Sequence, residues 1–230
     1  MKQINNYIQE KLRVDKEFGN KKVFFPANKE ELDKLLKRLI PERGNNADLN
    51  DIDVSKITDM SYLFTAFKDI EQIDISKWDV SNVHTTRYMF PKCTKFNCDL
   101  SKWNVSKLED ARAMFSYCKS FDCDLSGWNT SRIDDMECMF EGCESFRGKG
   151  LRNWDVSNVE YMDHTFAYCD NFDEDLSEWD TRNLIDLSCT FKECKKLSCD
   201  FHTWNVSLVK YHSQTFDGCP LVKNKPMWVL

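Results

Sequence analysis

The sequence predicts an α/β solenoid of about seven coils, each about 25 residues long and built from a short strand plus a short helix, with an N-terminal helical cap. Three observations carry this. Tryptophans fall at 78, 103, 128, 154, 179 and 204, spaced 25 or 26 residues apart. Phenylalanines at 64, 90, 115, 140, 166, 191 and 216 keep the same beat. Within each repeat, apolar spacing passes from helical to alternating. A fixed period in the twenties marks units that bury their apolar faces only against their neighbours. Such an array is more often a surface for holding a partner than a pocket for chemistry.

Residues 1–48 form the head. Residues 1–21 are polar and read as a loose helix or arm, and Lys22-Val23-Phe24-Phe25 as a short strand stopped by Pro26. Asn28 followed by Glu31 is a capping-box arrangement. Leu32, Leu35, Leu36 and Leu39 follow at helical spacing, and Pro41 ends the run. A one-sided apolar helix placed there covers the open core of the first coil.

The array occupies 49–219, with cores DVSKITDMSYLF (53–64), DVSNVHTTRYMF (79–90), NVSKLEDARAMF (104–115), NTSRIDDMECMF (129–140), DVSNVEYMDHTF (155–166), DTRNLIDLSCTF (180–191) and NVSLVKYHSQTF (205–216). Ile52 stands where later copies carry tryptophan, so the first coil is atypical. In the fourth copy Ile133, Met136, Met139, Phe140 and Cys143 make a helical stripe of about three turns. Ser55, Ser81, Ser106, Ser131, Ser157 and Ser207 open most copies as N-caps. Phe96-Asn97-Cys98-Asp99-Leu100 and Phe121-Asp122-Cys123-Asp124-Leu125 alternate as half-buried strands do. One strand and one helix at this period fit the leucine-rich-repeat size range. Residues 220–230, with Pro220, Pro226 and Met227-Trp228-Val229-Leu230, read as a C-terminal cap.

The recurring L-S-x-W-[DN]-[VT]-S-x-[VIL], then M-F-x-x-C-x-x-F-x-x-D-L, resembles the Mycoplasma-type repeat of unknown function found in BspA-type leucine-rich-repeat surface proteins. The likeness runs from about Asp48 to Cys219. It implies a leucine-rich-repeat-like solenoid with an adhesion or protein-interaction role, and it carries no catalytic residues.

The formal net charge is -6, unevenly placed. Residues 1–48 hold 11 basic and 8 acidic residues, leaving 21 against 30, or -9, for the rest. An acidic array lacks the cations that displace condensed counterions, which argues against direct nucleic-acid binding and for a basic protein surface. The opening residues lack an apolar signal core, and no stretch approaches the roughly 18 apolar residues of a membrane span. The expected location is cytoplasmic, the alternative the cell surface, and the oligomeric state stays open between a monomer and an end-to-end dimer.

Eleven cysteines include a ladder at 93, 118, 143, 169, 194 and 219. Without local C-x-x-C pairs it reads as small buried filler, with no metal and no cofactor. The tryptophan ladder reads as packing, with a carbohydrate platform as its alternative. His84, His164, His202 and His212 share no register with a nucleophile, and no enzyme motif is present. The candidate partner-binding residues are aspartates: Asp99, Asp124, Asp175 and Asp200 share one strand register, with Asp122 and Asp173 two residues earlier. Lys149 interrupts them within Arg147-Gly148-Lys149-Gly150, the one place where the tryptophan spacing gains a residue. Stacked like charges repel unless solvent, backbone N–H donors, interleaved Lys/Arg or a cationic partner offsets them, so the strip reads first as turn hydrogen bonding and solubility and, as the alternative, as a partner-facing strip. The function expected is non-enzymatic binding of a basic protein through the strand face. Its narrowest form is an intracellular inhibitor of a nucleic-acid-binding protein, of the phage counter-defence kind. The alternative is an adhesin-like surface protein exported by an unrecognised route.

Overall fold

The computed structural model describes residues 23–220 and 222, so the expectations for the arm over 1–21 and for the closing segment beyond Val222 lie outside the described residues. Helix α1 spans Lys29–Arg43. Asn28 accepts the Glu31 backbone N–H at 3.0 Å, and Glu31 reaches back to the N–H of Ala27 rather than that of Asn28. Pro41 does not end the helix. It lies in the last turn, where one missing N–H is tolerated, and Gly44 closes it at φ 86° by donating to the Ile40 carbonyl. Leu32, Leu35, Leu36, Leu39 and Ile40 are buried in the same apolar cluster as the coils. Lys29 bridges from the helix to Asp59 and Ser61 of the first coil, and Arg43 pairs with Asp51 at 2.7 Å.

The coils contain no α-helix among the described residues; a short 3-10 turn at Leu151–Asn153 is their one helical element. Where the stripe Ile133–Cys143 predicts a helix, two tight turns follow one another. Met139, Glu141 and Cys143 donate to carbonyls three residues back, while Met136, Cys138, Phe140 and Gly142 donate to Tyr161, Asp163, Thr165 and Ala167 of the next coil at 2.7–2.9 Å. Left-handed residues separate the turns, with φ 56° at Cys138 and 68° at Gly142. The pattern recurs in the other coils at Tyr88 and Lys92, Ala113 and Tyr117, and His164 and Tyr168. Turn repetition also places apolar residues three or four apart, which is why the stripe looked helical. Neighbouring helices need about 8–10 Å between axes, whereas these segments sit at hydrogen-bonding distance from the next coil.

The coils are joined by isolated parallel bridges in one register: Asp59, Thr85, Asp110, Asp135, Tyr161, Asp186 and Tyr211. The expected strands are likewise absent as paired elements, and their residues lie in extended connections. The register steps by 26 residues twice, from Asp59 to Thr85 and from Asp135 to Tyr161. The first step escapes the tryptophan count because Ile52 replaces the ring that would have shown it.

The core is a pair of aromatic stacks. Phe90, Phe115, Phe140, Phe166, Phe191 and Phe216 stand 5.5–5.8 Å apart, ring over ring, and Phe96, Phe121, Phe146 and Phe172 form a second row beside them. Each repeat tryptophan is buried and donates its indole N–H to a carbonyl of the preceding coil, as Trp128 does to Leu100 at 3.0 Å and Trp154 to Leu125 at 3.1 Å. That bond explains tryptophan where phenylalanine would pack as well. Trp128→Phe is therefore expected to lower stability by about 1–2 kcal/mol, combining the lost hydrogen bond with a small cavity. Urea denaturation measures it, and an unchanged midpoint would refute a bonding role for the indole.

Candidate functional site

The aspartates singled out by the sequence are turn formers first. Asp99 and Asp124 accept the backbone N–H groups of Ser101 and Ser126 on Oδ1, and Asp175 and Asp200 those of Ser177 and His202, each at 3.0 Å. The serines read as N-caps are instead donors to the Asp or Asn two residues before them: Ser106 to Asn104, Ser131 to Asn129, Ser157 to Asp155. These are Asx turns, which a carboxylate or amide oxygen closes equally well. Asp122 and Asp173 work between coils, accepting the N–H of Arg147 and of Ser198.

Cations interleave with the strip. Lys149 pairs with Asp124 at 2.7 Å, Arg147 with Asp122 at 2.5 Å and Arg152 with Asp175 at 3.0 Å, while His202 contacts Asp200. The Lys149 ammonium, with the Ser126 N–H, holds the Asp124 carboxyl down at about 2. Asp99, Asp175 and Asp200 are also lowered, chiefly by the bonds from Ser101, Ser177 and His202. The added residue near Lys149 is structural: the Lys149 carbonyl takes the Leu125 N–H, where Cys123 and Cys199 thiols take those of Leu100 and Leu176. Gly150 fills the aspartate register with φ 94°, and a Cβ there would come 2.4 Å from the Ser126 nitrogen.

A second group of acids, three of them with raised carboxyls, lies on the turn ladder. Glu109, Asp134 and Glu160 occupy the position just before the bridge in successive coils, linked by N–H bonds from Asp134 to Glu109 and from Glu160 to Asp134. Burial and the neighbouring acids raise the Asp134 carboxyl above its ordinary range. Burial also raises Glu137 and Asp163, helped by Asp163 and Asp186 respectively. The same ladder carries all six described tyrosines: Tyr62, Tyr88, Tyr117, Tyr161, Tyr168 and Tyr211. Tyr62 stacks on Tyr88 at 5.5 Å, and Arg87 lies over the Tyr88 ring. Reading the ladder as a helix hid this face, because helical geometry would scatter residues that the turns align. Counting tyrosines by repeat position would have found it.

The tryptophan rings are 2–5% exposed, so they offer no carbohydrate platform. The cysteine ladder is more than filler. Cys118, Cys143, Cys169, Cys194 and Cys219 each point a thiol at the repeat phenylalanine carbonyl of the preceding coil, 2.8–3.1 Å away. Burial pushes the Cys118, Cys143, Cys169 and Cys194 thiols far up. No three metal-capable side chains converge, and no helix is long and apolar enough to cross a membrane, among the described residues.

Over residues 34–149 and 118–228 the chain matches the family described as Mycoplasma protein of unknown function, DUF285. The chain belongs to that family. No curated protein and no solved structure matches it. The two matched stretches take in every coil of the stack, so the repeat geometry described above is the family's shared portion of this chain.

Two substitutions should show opposite pH behaviour. The lowered Asp124 contributes stability that is present above the ordinary carboxylate pKa and lost as pH falls towards 2, so Asp124→Asn destabilises at neutral pH and becomes neutral in acid. The raised Asp134 favours the fold only while protonated, so Asp134→Asn stabilises at neutral pH and loses its advantage below the ordinary carboxylate range. Each effect is under about 1 kcal/mol because water screens both groups. Thermal melts across pH measure them, and effects of the same sign would contradict the assignment.

Proposed function

We propose that the chain is a non-enzymatic protein-binding solenoid of leucine-rich-repeat-like kind, whose aspartate strip takes a partner with a basic surface. The observation that carries this reading is the state of Asp99, Asp175 and Asp200: exposed, held ionised, and using Oδ1 for their own turns. What remains of each carboxylate is left to solvent, to Arg152 at Asp175, or to a visiting cation. Asp122, Asp124 and Asp173 support the strip, and Lys149 sets where a partner's cations cannot sit. Charge of this kind accelerates encounter and rejects acidic competitors more than it adds affinity. A basic groove that normally holds nucleic acid has the matching chemistry, which makes an inhibitor of such a protein the narrowest form of the reading, in the cytoplasm. The L-S-x-W repeat's likeness to BspA-type surface proteins favours a second reading, an adhesin-like role on the cell exterior.

The turns dictate the test. Lysine at these positions would remove the Asx acceptor, whereas asparagine keeps it and removes only charge, as Asn104 and Asn129 already show. A chain carrying Asn at 99, 124, 175 and 200 should fold normally and bind its partner at least about tenfold more weakly. Affinity capture from source-cell lysate, native chain beside variant, reads this out. If both retain the same proteins with equal strength, the strip is solvated surface and the reading fails. Fractionation that places the chain outside the cell would favour the adhesin.

A further inference from the structure

The turn ladder carries one column of side chains that does not repeat. Read up the stack, the residues two beyond the bridge are Ser61, Arg87, Arg112, Glu137, Asp163, Ser188 and Ser213, and their equivalence is fixed by backbone bonds. Tyr88 donates to the Arg112 carbonyl, Ala113 to Glu137, Cys138 to Asp163 and His164 to Ser188. The order is neutral, cation, cation, anion, anion, neutral, neutral, so the four charges are symmetric about the gap between the third and fourth coils. A partner of either sign would be repelled by half of it. A second copy with its coil order reversed would set the two cations of the column against its two anions.

We propose that this face of the turn ladder is a self-association surface, on which two copies pack about a two-fold axis between the third and fourth coils. Such an axis, lying along the turn direction, sets the column against itself: Arg87 faces Asp163 of the second copy, and Arg112 faces its Glu137. The interface is isologous, each contact occurring twice.

Three further features agree. Arg87 makes no ion pair among the described residues, and its buried Nε–H finds no hydrogen-bond acceptor there; its guanidinium lies over the Tyr88 ring and close enough to Glu137 to act on that carboxyl. His164, at 3.6 Å, is the one ion-pair partner of Asp163 among the described residues, and the Asp163 carboxyl is raised by burial and Asp186, a state that an opposing guanidinium relieves. Arg112 pairs with Asp135 of its own chain and lies 3.3 Å from Glu137, so at the axis the Arg112, Asp135 and Glu137 side chains of both copies would join in one network. The neighbouring columns supply anchors of the type enriched at interfaces, the exposed Tyr62 and Tyr168 among them. Exposed Lys92 and Tyr168 share a column and would oppose each other as cation and ring. Six coils at strand spacing give a patch about 24 Å long.

The proposal concerns a different face from the aspartate strip and stands or falls separately. Light scattering on the size-fractionated full chain should show a dimer that loosens with added salt. Arg87→Glu and Asp163→Arg should each bring like charges together twice, raising the dissociation constant about a hundredfold and leaving a folded monomer by circular dichroism. The decisive arm mixes the two variants. Glu at 87 then meets Arg at 163, and the native Arg87 meets the native Asp163, so a heterodimer should return. A monomeric native chain overturns the proposal, as does a dimer that survives both substitutions. So do two variants that stay monomeric when mixed.

Discussion

Every coil must satisfy its backbone against a neighbour held at strand spacing without ever forming a full strand, and the rest of the molecule follows from that constraint. A continuous strand would pair all its N–H and C=O groups along the ladder. Here alternate N–H groups cross to the next coil and the others fold back three residues, so the remaining polar groups fall to side chains. The indole N–H, the ladder thiols, the hydroxyls of Thr165, Thr190 and Thr215, and the oxygens of the Asx turns each complete part of the account between coils or within them. The repeat is therefore a list of hydrogen-bonding duties as much as a packing pattern.

Stacking at that spacing also sorts residues by what they tolerate in their own image. Rings stack on rings, and thiols and hydroxyls reach backbone carbonyls of the preceding coil. Carboxylates can stack only when cations stand between them. Along Asp122, Asp124 and Asp175 the cations Arg147, Lys149 and Arg152 are present. At Glu109, Asp134 and Glu160 the nearest are His84 and Arg132, at 3.5 and 3.8 Å from Glu109, and Asp134 is left with raised affinity for a proton.

The period, the aromatic ladders and the capping helix were legible because each is a one-dimensional pattern: spacing for the rings, an Asn28 start and leucines at 32, 35, 36 and 39 for α1. The internal form of a coil was not. Apolar residues at 133, 136, 139, 140 and 143 satisfy a helix and a run of turns equally, and the choice rests on residues such as Cys138 and Gly142, whose left-handed backbone has no dependable signature when the residue is not glycine. The aspartates were visible, but their duty as turn acceptors needed the serine N–H two residues on to be placed. The tyrosine face was hidden by the same misreading, since aligning Tyr62, Tyr88, Tyr117 and Tyr168 depends on turn geometry.

What distinguishes this chain from a generic stack must lie where the repeat fails to repeat. Positions tied to backbone bonding are held alike from coil to coil, so they specify the frame and say little about a partner. The aspartate register is partly so tied: Asp99, Asp124, Asp175 and Asp200 close Asx turns, Gly150 takes the same place without a side chain, and only the charge is free to carry meaning. The column from Ser61 to Ser188 has no such backbone duty for its side chains, yet its charge changes sign once, midway. A random surface would mix signs, and a surface selected only for solubility would favour one. A single reversal between the third and fourth coils gives the column a direction, and it is this feature, rather than the larger net charge around it, that motivates the proposed pairing with an inverted copy.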